Sequence, residues 1–250
     1  LRAELPFIGA GITGLTLYFI LQNYALKFSY ASTVGIIISA APMFTALLLW
    51  LCRRAPRPGP AFFVGFVMSM AGITLISIAQ GETLDFNLTG CGLTLGAAFC
   101  WGAYGVFIEL TESSGYTSLQ VTRKVFFWGL LFGLPFIWLN HLDMSLSRFA
   151  QPVLLFCILY LGLGASALCF AVWNRAVVLI GSVATNVYIY LMPVITLAAS
   201  ALILREPVTL FSIGAIVLIV AGLWLSQRKG RRWTVRTRRN RWRGRPCGSG

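Results

Sequence analysis

A chain of 250 residues that is 58% hydrophobic and 11% charged, with a mean hydropathy of +0.80, cannot cover a water-facing surface; a soluble domain carries about a quarter charged residues. This composition excludes a soluble enzyme or binding module and assigns the chain to lipid. The net charge of +13 is local, because ten of the twenty basic residues fall between Arg228 and Arg245, a stretch without an acid.

Crossing the hydrocarbon core takes about 20 mostly apolar residues in a helix. Eight segments qualify, so the chain is expected to be an all-α polytopic membrane protein. In chain order they span residues 6–25, 32–51, 61–79, 90–110, 125–140, 152–173, 182–204 and 210–226. Pro6 and Pro152 open the first and sixth, where a missing N–H costs nothing. Pro135 is expected to bend the fifth, the shortest.

The loops orient the bundle. Arg53, Arg54 and Arg57 follow the second segment, and Arg123 and Lys124 precede the fifth. Glu82 and Asp85 occupy the loop between the third and fourth. The positive-inside rule then places both chain ends in the cytoplasm, with the chain integral to the bacterial cytoplasmic membrane. The segment 227–250 reads as a disordered cytoplasmic tail. Its run RRWTVRTRRNRWRGR, with Trp233 and Trp242, has the makings of a nucleic-acid arm. Its position beside the last membrane helix favours anionic lipid headgroups as partner instead.

Cys52, Cys91, Cys100, Cys157, Cys169 and Cys247 form no CxxC pair, and the single histidine, His141, lies in a loop. No metal site and no cofactor are expected. The segments also lack the aspartate pair or Ser–His pair of an intramembrane protease, so no enzyme is expected. GxGxxG at Gly9–Gly14 lies inside a lipid-length helix with no preceding strand and is not a dinucleotide fingerprint.

Shifting the first two segments by 151 positions lays them on the sixth and seventh. Gly11 meets Gly162, Asn23 meets Asn174, Pro42 meets Pro193 and Thr45 meets Thr196; one residue less brings Gly72 onto Gly222. The copies lie five helices apart, an odd number, so they enter the membrane from opposite sides. Inverted-topology repeats of this kind recur in secondary transporters. With a five-helix unit, 1–80 holds three helices of a first repeat and 90–226 a complete second. The fold expected is then a ten-helix one, and a chain opening on Leu1 would be N-terminally truncated.

The pattern GxxxLxFxxxNxA, a helix with a central proline (IIISAAPMFTALL; YIYLMPVITLAASALILREP) and a Gly-ended helix (GFVMSMAGITLIS; GAIVLIVAGLWLS) resemble EamA-type members of the drug/metabolite transporter superfamily. GCGLTLGAAFCWGAYGVFIEL is similar to the helix opening that family's second repeat. The resemblance implies two inverted five-helix repeats and the export or exchange of small metabolites. The glutamate that often follows the proline helix is present as Glu206 in the second repeat and absent from the first.

Gly92, Gly96 and Cys100 give the fourth segment a smooth face, as do Gly129 and Gly133 on the fifth. Trp101 and Tyr104 could line a cavity and stack on a substrate, or pack as ordinary aromatics. Asn23 and Asn174 could bind substrate, clamp helices or reach interfacial water. Asn186 and Tyr190, four apart on one helix face, form the preferred polar wall of the pocket. Pro42 and Pro193 mark kinks that either free a carbonyl into a cavity or serve packing alone. Glu109 and Glu206 lie near helix ends, where solvation or pairing with Arg205 is expected. No segment carries an ionisable residue near its centre, so the expected substrate is a small zwitterionic or amphipathic metabolite held by amides, hydroxyls and rings. The alternatives are a non-transporting membrane scaffold and an inactive truncated remnant.

Overall fold

A computed structural model describes residues 3–79, 81, 84, 87–139, 151–204 and 210–228. The readings of Arg205, Glu206, His141, Cys247, Glu82, Asp85 and the basic tail beyond 228 lie outside these residues. Eight helical stretches follow one another: α1 Leu5–Phe28, α2 Ala31–Leu51, α3 Pro60–Ala79, α4 Leu88–Thr111, α5 Ser118–Leu139, α6 Pro152–Ile180, α7 Ser182–Ile203 and α8 Leu210–Arg228. All except α5 are long and apolar enough, by length and composition, to cross a bilayer. Among the described residues there is no strand.

Two boundaries differ from the sequence reading. The fifth helix begins at Ser118 instead of residue 125, because Gln120, Arg123 and Lys124 form its first turns. A reciprocal cap starts it: Thr117 N–H donates to Gln120 Oε1 (2.9 Å) and Gln120 N–H to Thr117 Oγ1 (3.4 Å). The sixth helix runs on past residue 173 to Ile180, carrying Arg175 within it, and stops where Gly181 takes φ +88°.

The internal repeat extends to the irregularities. α1 contains a π-helical stretch, Ile12–Leu17, and α6 contains one at Tyr160–Leu168. Both close at positions related by the same 151-residue shift. α2 is interrupted at Ser39–Ala40, and α7 tightens into 3-10 geometry over Tyr188–Leu191. Pro42 and Pro193 each stand second in the helix that follows. The prolines therefore follow breaks and do not bend continuous helices. Their missing N–H is absorbed by tight turns, in which Ser39 N–H donates to Ile36 O (3.2 Å) and Ala40 N–H to Ile37 O (3.0 Å).

α3 and α8 make the closest helix pair. A methyl group on Gly65 would lie 2.5 Å from Gly222 O, one on Gly222 2.6 Å from Gly65 O, and one on Gly72 2.9 Å from Ala215 O. The start of α3 thus meets the end of α8, and the two run antiparallel. Gly65 and Gly72 are the repeat mates of Ala215 and Gly222, so the contact is reciprocal, as two-fold symmetry requires. In lipid, such backbone approach is what drives helix association. Tyr190, Phe62, Ile73, Ile76 and Ile219 build one core around this pair. A second core, with Phe7, Tyr104, Ile108, Val125 and Phe170, lies between α1, α4, α5 and α6.

The expected smooth face of α4 makes contact except at Gly92: a methyl on Gly96 would lie 3.4 Å from Leu21, and Cys100 is buried. Nothing lies within 4 Å of a methyl added at Gly92, whereas Gly102 and Gly105 approach α2 and α7 closely. On α5, Gly129 packs on Leu15 and Gly133 meets nothing.

Candidate functional site

α4 runs through the middle of the polar and aromatic contacts. Its Trp101 is half-buried and stands at the centre of a ring cluster. Centroid distances are 4.9 Å to Tyr18, 5.2 Å to Tyr104, 5.7 Å to Trp173 and 5.9 Å to Phe170. The rings come from α1, α4 and α6, so the cluster draws on both copies of the repeat.

Two buried asparagines hold this cluster. Asn186 on α7 accepts a hydrogen bond from Trp101 Nε1 (3.0 Å) and donates through Nδ2 to Thr45 Oγ1 on α2 (2.7 Å). Thr45 Oγ1 in turn donates to Ala41 O (2.9 Å), within its own helix. Asn174 on α6 accepts from the Tyr104 hydroxyl (2.5 Å) and donates to Thr122 Oγ1 on α5 (2.9 Å). Both side chains are 1% exposed. An amide has two acceptor lone pairs and two N–H donors. Each asparagine therefore keeps one of each beyond these partners. A groove of about 470 Å³ between α5 and α6, lined by Thr122, Arg123, Phe126 and Ala167, opens beside the Asn174 node.

The remaining sequence candidates fall elsewhere. Tyr190 is fully buried, but in the α3–α8 core, and its hydroxyl has no hydrogen-bond partner among the described residues. The 3-10 turn at Tyr188 alters the angular step, so Asn186 and Tyr190 address different neighbours despite their spacing. Asn23 is exposed and donates to Phe19 O one turn back (2.7 Å). It is not joined to the ring cluster, although its repeat mate Asn174 is. Glu109 accepts the Ser182 N–H at 2.7 Å, and the expected partner Arg205 lies outside the described residues. Tyr18, Thr122 and Ser182 went unsingled by sequence reasoning, since a lone Tyr, Thr or Ser on an apolar helix carries no pattern of its own.

At the helix ends, Glu4 and Lys124 form an ion pair linking α1 to α5. Trp128 Nε1 donates to Glu4 Oε2 (3.3 Å), and the Lys124 ammonium lies over the rings of Tyr116 (4.4 Å) and Phe7 (4.8 Å). Lys124 beside it holds the Glu4 carboxyl below its ordinary pKa.

The sequence profile of the EamA-like transporter family matches residues 1–78 and 88–227. The chain belongs to this family. It is 30% identical over 235 residues to a probable terminal-alkyne amino-acid exporter of Streptantibioticus cattleyicolor, covering 92% of this chain and 76% of that one. It is 28% identical to an uncharacterized transporter of Archaeoglobus fulgidus, covering 87% and 74%, and 23% identical to a probable amino-acid metabolite efflux pump of Salmonella typhimurium, covering 90% and 78%. One crystal structure superposes with a TM-score of 0.72 over 92% of this EamA-like chain and 77% of its own, at 20% identity, which speaks to the fold alone. The relatives are transporters, and the helices of this family member suit an integral membrane protein.

Proposed function

We propose that this chain exports a small amino-acid-like or amphipathic metabolite across the bacterial cytoplasmic membrane by alternating access. The working unit is a ten-helix fold of two inverted repeats, to which 1–80 contributes three helices and 90–226 five. Both ends face the cytoplasm, and the tail meets anionic lipid. The observation that carries the reading is the Trp101–Asn186–Thr45 bridge, which joins α2 of one repeat to α4 and α7 of the other inside a cluster of rings. A ligand amine or carboxylate would bind the spare amide positions of Asn186 and Asn174, while its apolar part stacks on Trp101 and Tyr104. Tyr190, with its unpartnered hydroxyl, and Asn23 extend this polar set as the two repeats move against each other. The breaks before Pro42 and Pro193 are the places where such motion is absorbed. The names of the Streptantibioticus and Salmonella relatives support an amino-acid-like substrate and the outward direction.

The test is counterflow of tritiated L-phenylalanine in proteoliposomes. Asn186→Ala removes hydrogen bonds worth about 1–3 kcal/mol, so uptake at low substrate should fall roughly tenfold. Trp101→Leu should fall as far. Unchanged uptake in both variants would remove the site from the reading.

A further inference from the structure

α7 is gripped by α4 at three successive turns. Glu109, Gly105 and Trp101 stand four residues apart on α4, so they share one face. Glu109 Oε1 accepts the backbone N–H of Ser182, the first residue of α7. The Ser182 hydroxyl donates to Gly105 O at 2.6 Å. One turn further, Asn186 receives the Trp101 indole N–H. The helices come this close because Gly105 has no side chain: a methyl there would sit 3.2 Å from Ser182 Cβ and 3.3 Å from Asn186 Nδ2.

The grip needs an outside acceptor at its first turn. Gly181, at φ +88°, ends α6 and turns the chain directly into α7, so the leading N–H groups of α7 have no preceding turn to bond. Ser182 is fully buried and its hydroxyl is committed to Gly105. Glu109 therefore satisfies a donor that would otherwise be orphaned, with a charge sign suited to a helix N-terminus. Among the described residues, Arg54 and Glu112 are the other charged groups acting on it.

We propose that Glu109 is a positioning residue for substrate recognition: its carboxylate fixes α7 in register on α4 and thereby aims the Asn186 amide. This rests on the proposed role of Asn186. Its action is as a hydrogen-bond acceptor, so glutamine serves in its place and alanine does not.

Two measurements on the full chain in lipid nanodiscs and proteoliposomes test it. Hydrogen exchange of peptides covering 182–191 needs no ligand. Glu109→Ala should speed exchange there at least tenfold, and Glu109→Gln should leave it within about threefold of wild type. In counterflow of tritiated L-phenylalanine, Glu109→Ala should raise KM roughly tenfold with little change in maximal rate, and Glu109→Gln should restore it. Ser182→Ala, which keeps the N–H and loses only the bond to Gly105, supplies an intermediate effect should Glu109→Ala fail to fold. Unchanged exchange in Glu109→Ala overturns the inference. So does a glutamine variant as impaired as alanine with a flattened pH profile, which would mark a protonation role instead. If Asn186→Ala leaves KM unchanged while exchange responds to Glu109, the binding reading of Asn186 has failed and the grip has not.

Discussion

Leucine in place of Asn174 keeps its branched shape with bulkier ends and leaves the buried Tyr104 hydroxyl without its acceptor, while Thr122 keeps its bond to Ser118 O. That stranded hydroxyl costs about 1–3 kcal/mol, so the melting temperature in detergent should drop by several degrees. Asn23→Leu, at the matching but exposed position, should stay within about 0.5 kcal/mol of wild type. A thiol-dye melt of both variants checks this, and equal melting would mean that the Tyr104–Asn174 bond carries no weight. The Glu4–Lys124 pair makes a prediction of different form. Lys124 depresses the Glu4 carboxyl, so the contribution is complete above the ordinary carboxylate value of about 4 and is lost only as pH falls through the depressed one. The melting difference between wild type and Glu4→Gln should stay flat from pH 5 to 8 and shrink with added salt. A difference that titrates near neutrality would contradict the assignment.

At the scale of elements, the α3–α8 pair is the most demanding contact. Leucine at Gly222 would drive a side chain into Gly65 O and Ser69, and overpacking of this kind costs about 1–3 kcal/mol or more. Gly222→Leu should lower both yield and melting temperature, and Gly92→Leu, with open space around it, should change neither. The contrast also marks how far the sequence could be read. Helix number followed from the length of apolar runs, whereas Pro42 and Pro193 read as kinks and instead each follow a break. The first turns of α5 did not follow, because Arg123 and Lys124 look like a loop until the Thr117–Gln120 cap is seen. The working glycines of α4 were hidden too. Gly90, Gly92, Gly96, Gly102 and Gly105 fall on several faces, and only the partner helices select among them. Asn186 was legible as a polar residue in an apolar helix. Its separation from Tyr190 was not, since periodicity arguments hold the angular step constant and a 3-10 turn changes it.

For the whole molecule, the reciprocal contact of α3 and α8 makes each half a template for the other. Gly11 of α1 packs on α5, 2.7 Å from Gly129 N when a methyl is added, whereas its mate Gly162 on α6 meets nothing. Only 6% of the most apolar stretch of α6 is buried. Two-fold equivalence predicts that a helix pair like α4 and α5 covers this face in the working transporter. Gly162→Leu should then impair L-phenylalanine counterflow as severely as Gly11→Leu, and a harmless Gly162→Leu would leave that face to lipid. The paired π-helical stretches carry the repeat into the backbone itself. Wide turns of this kind are rare and frequent at functional sites, and these two close at Leu17 and Leu168, the same place in each copy. The wide turn that closes there therefore belongs to the repeat unit and not to one half alone.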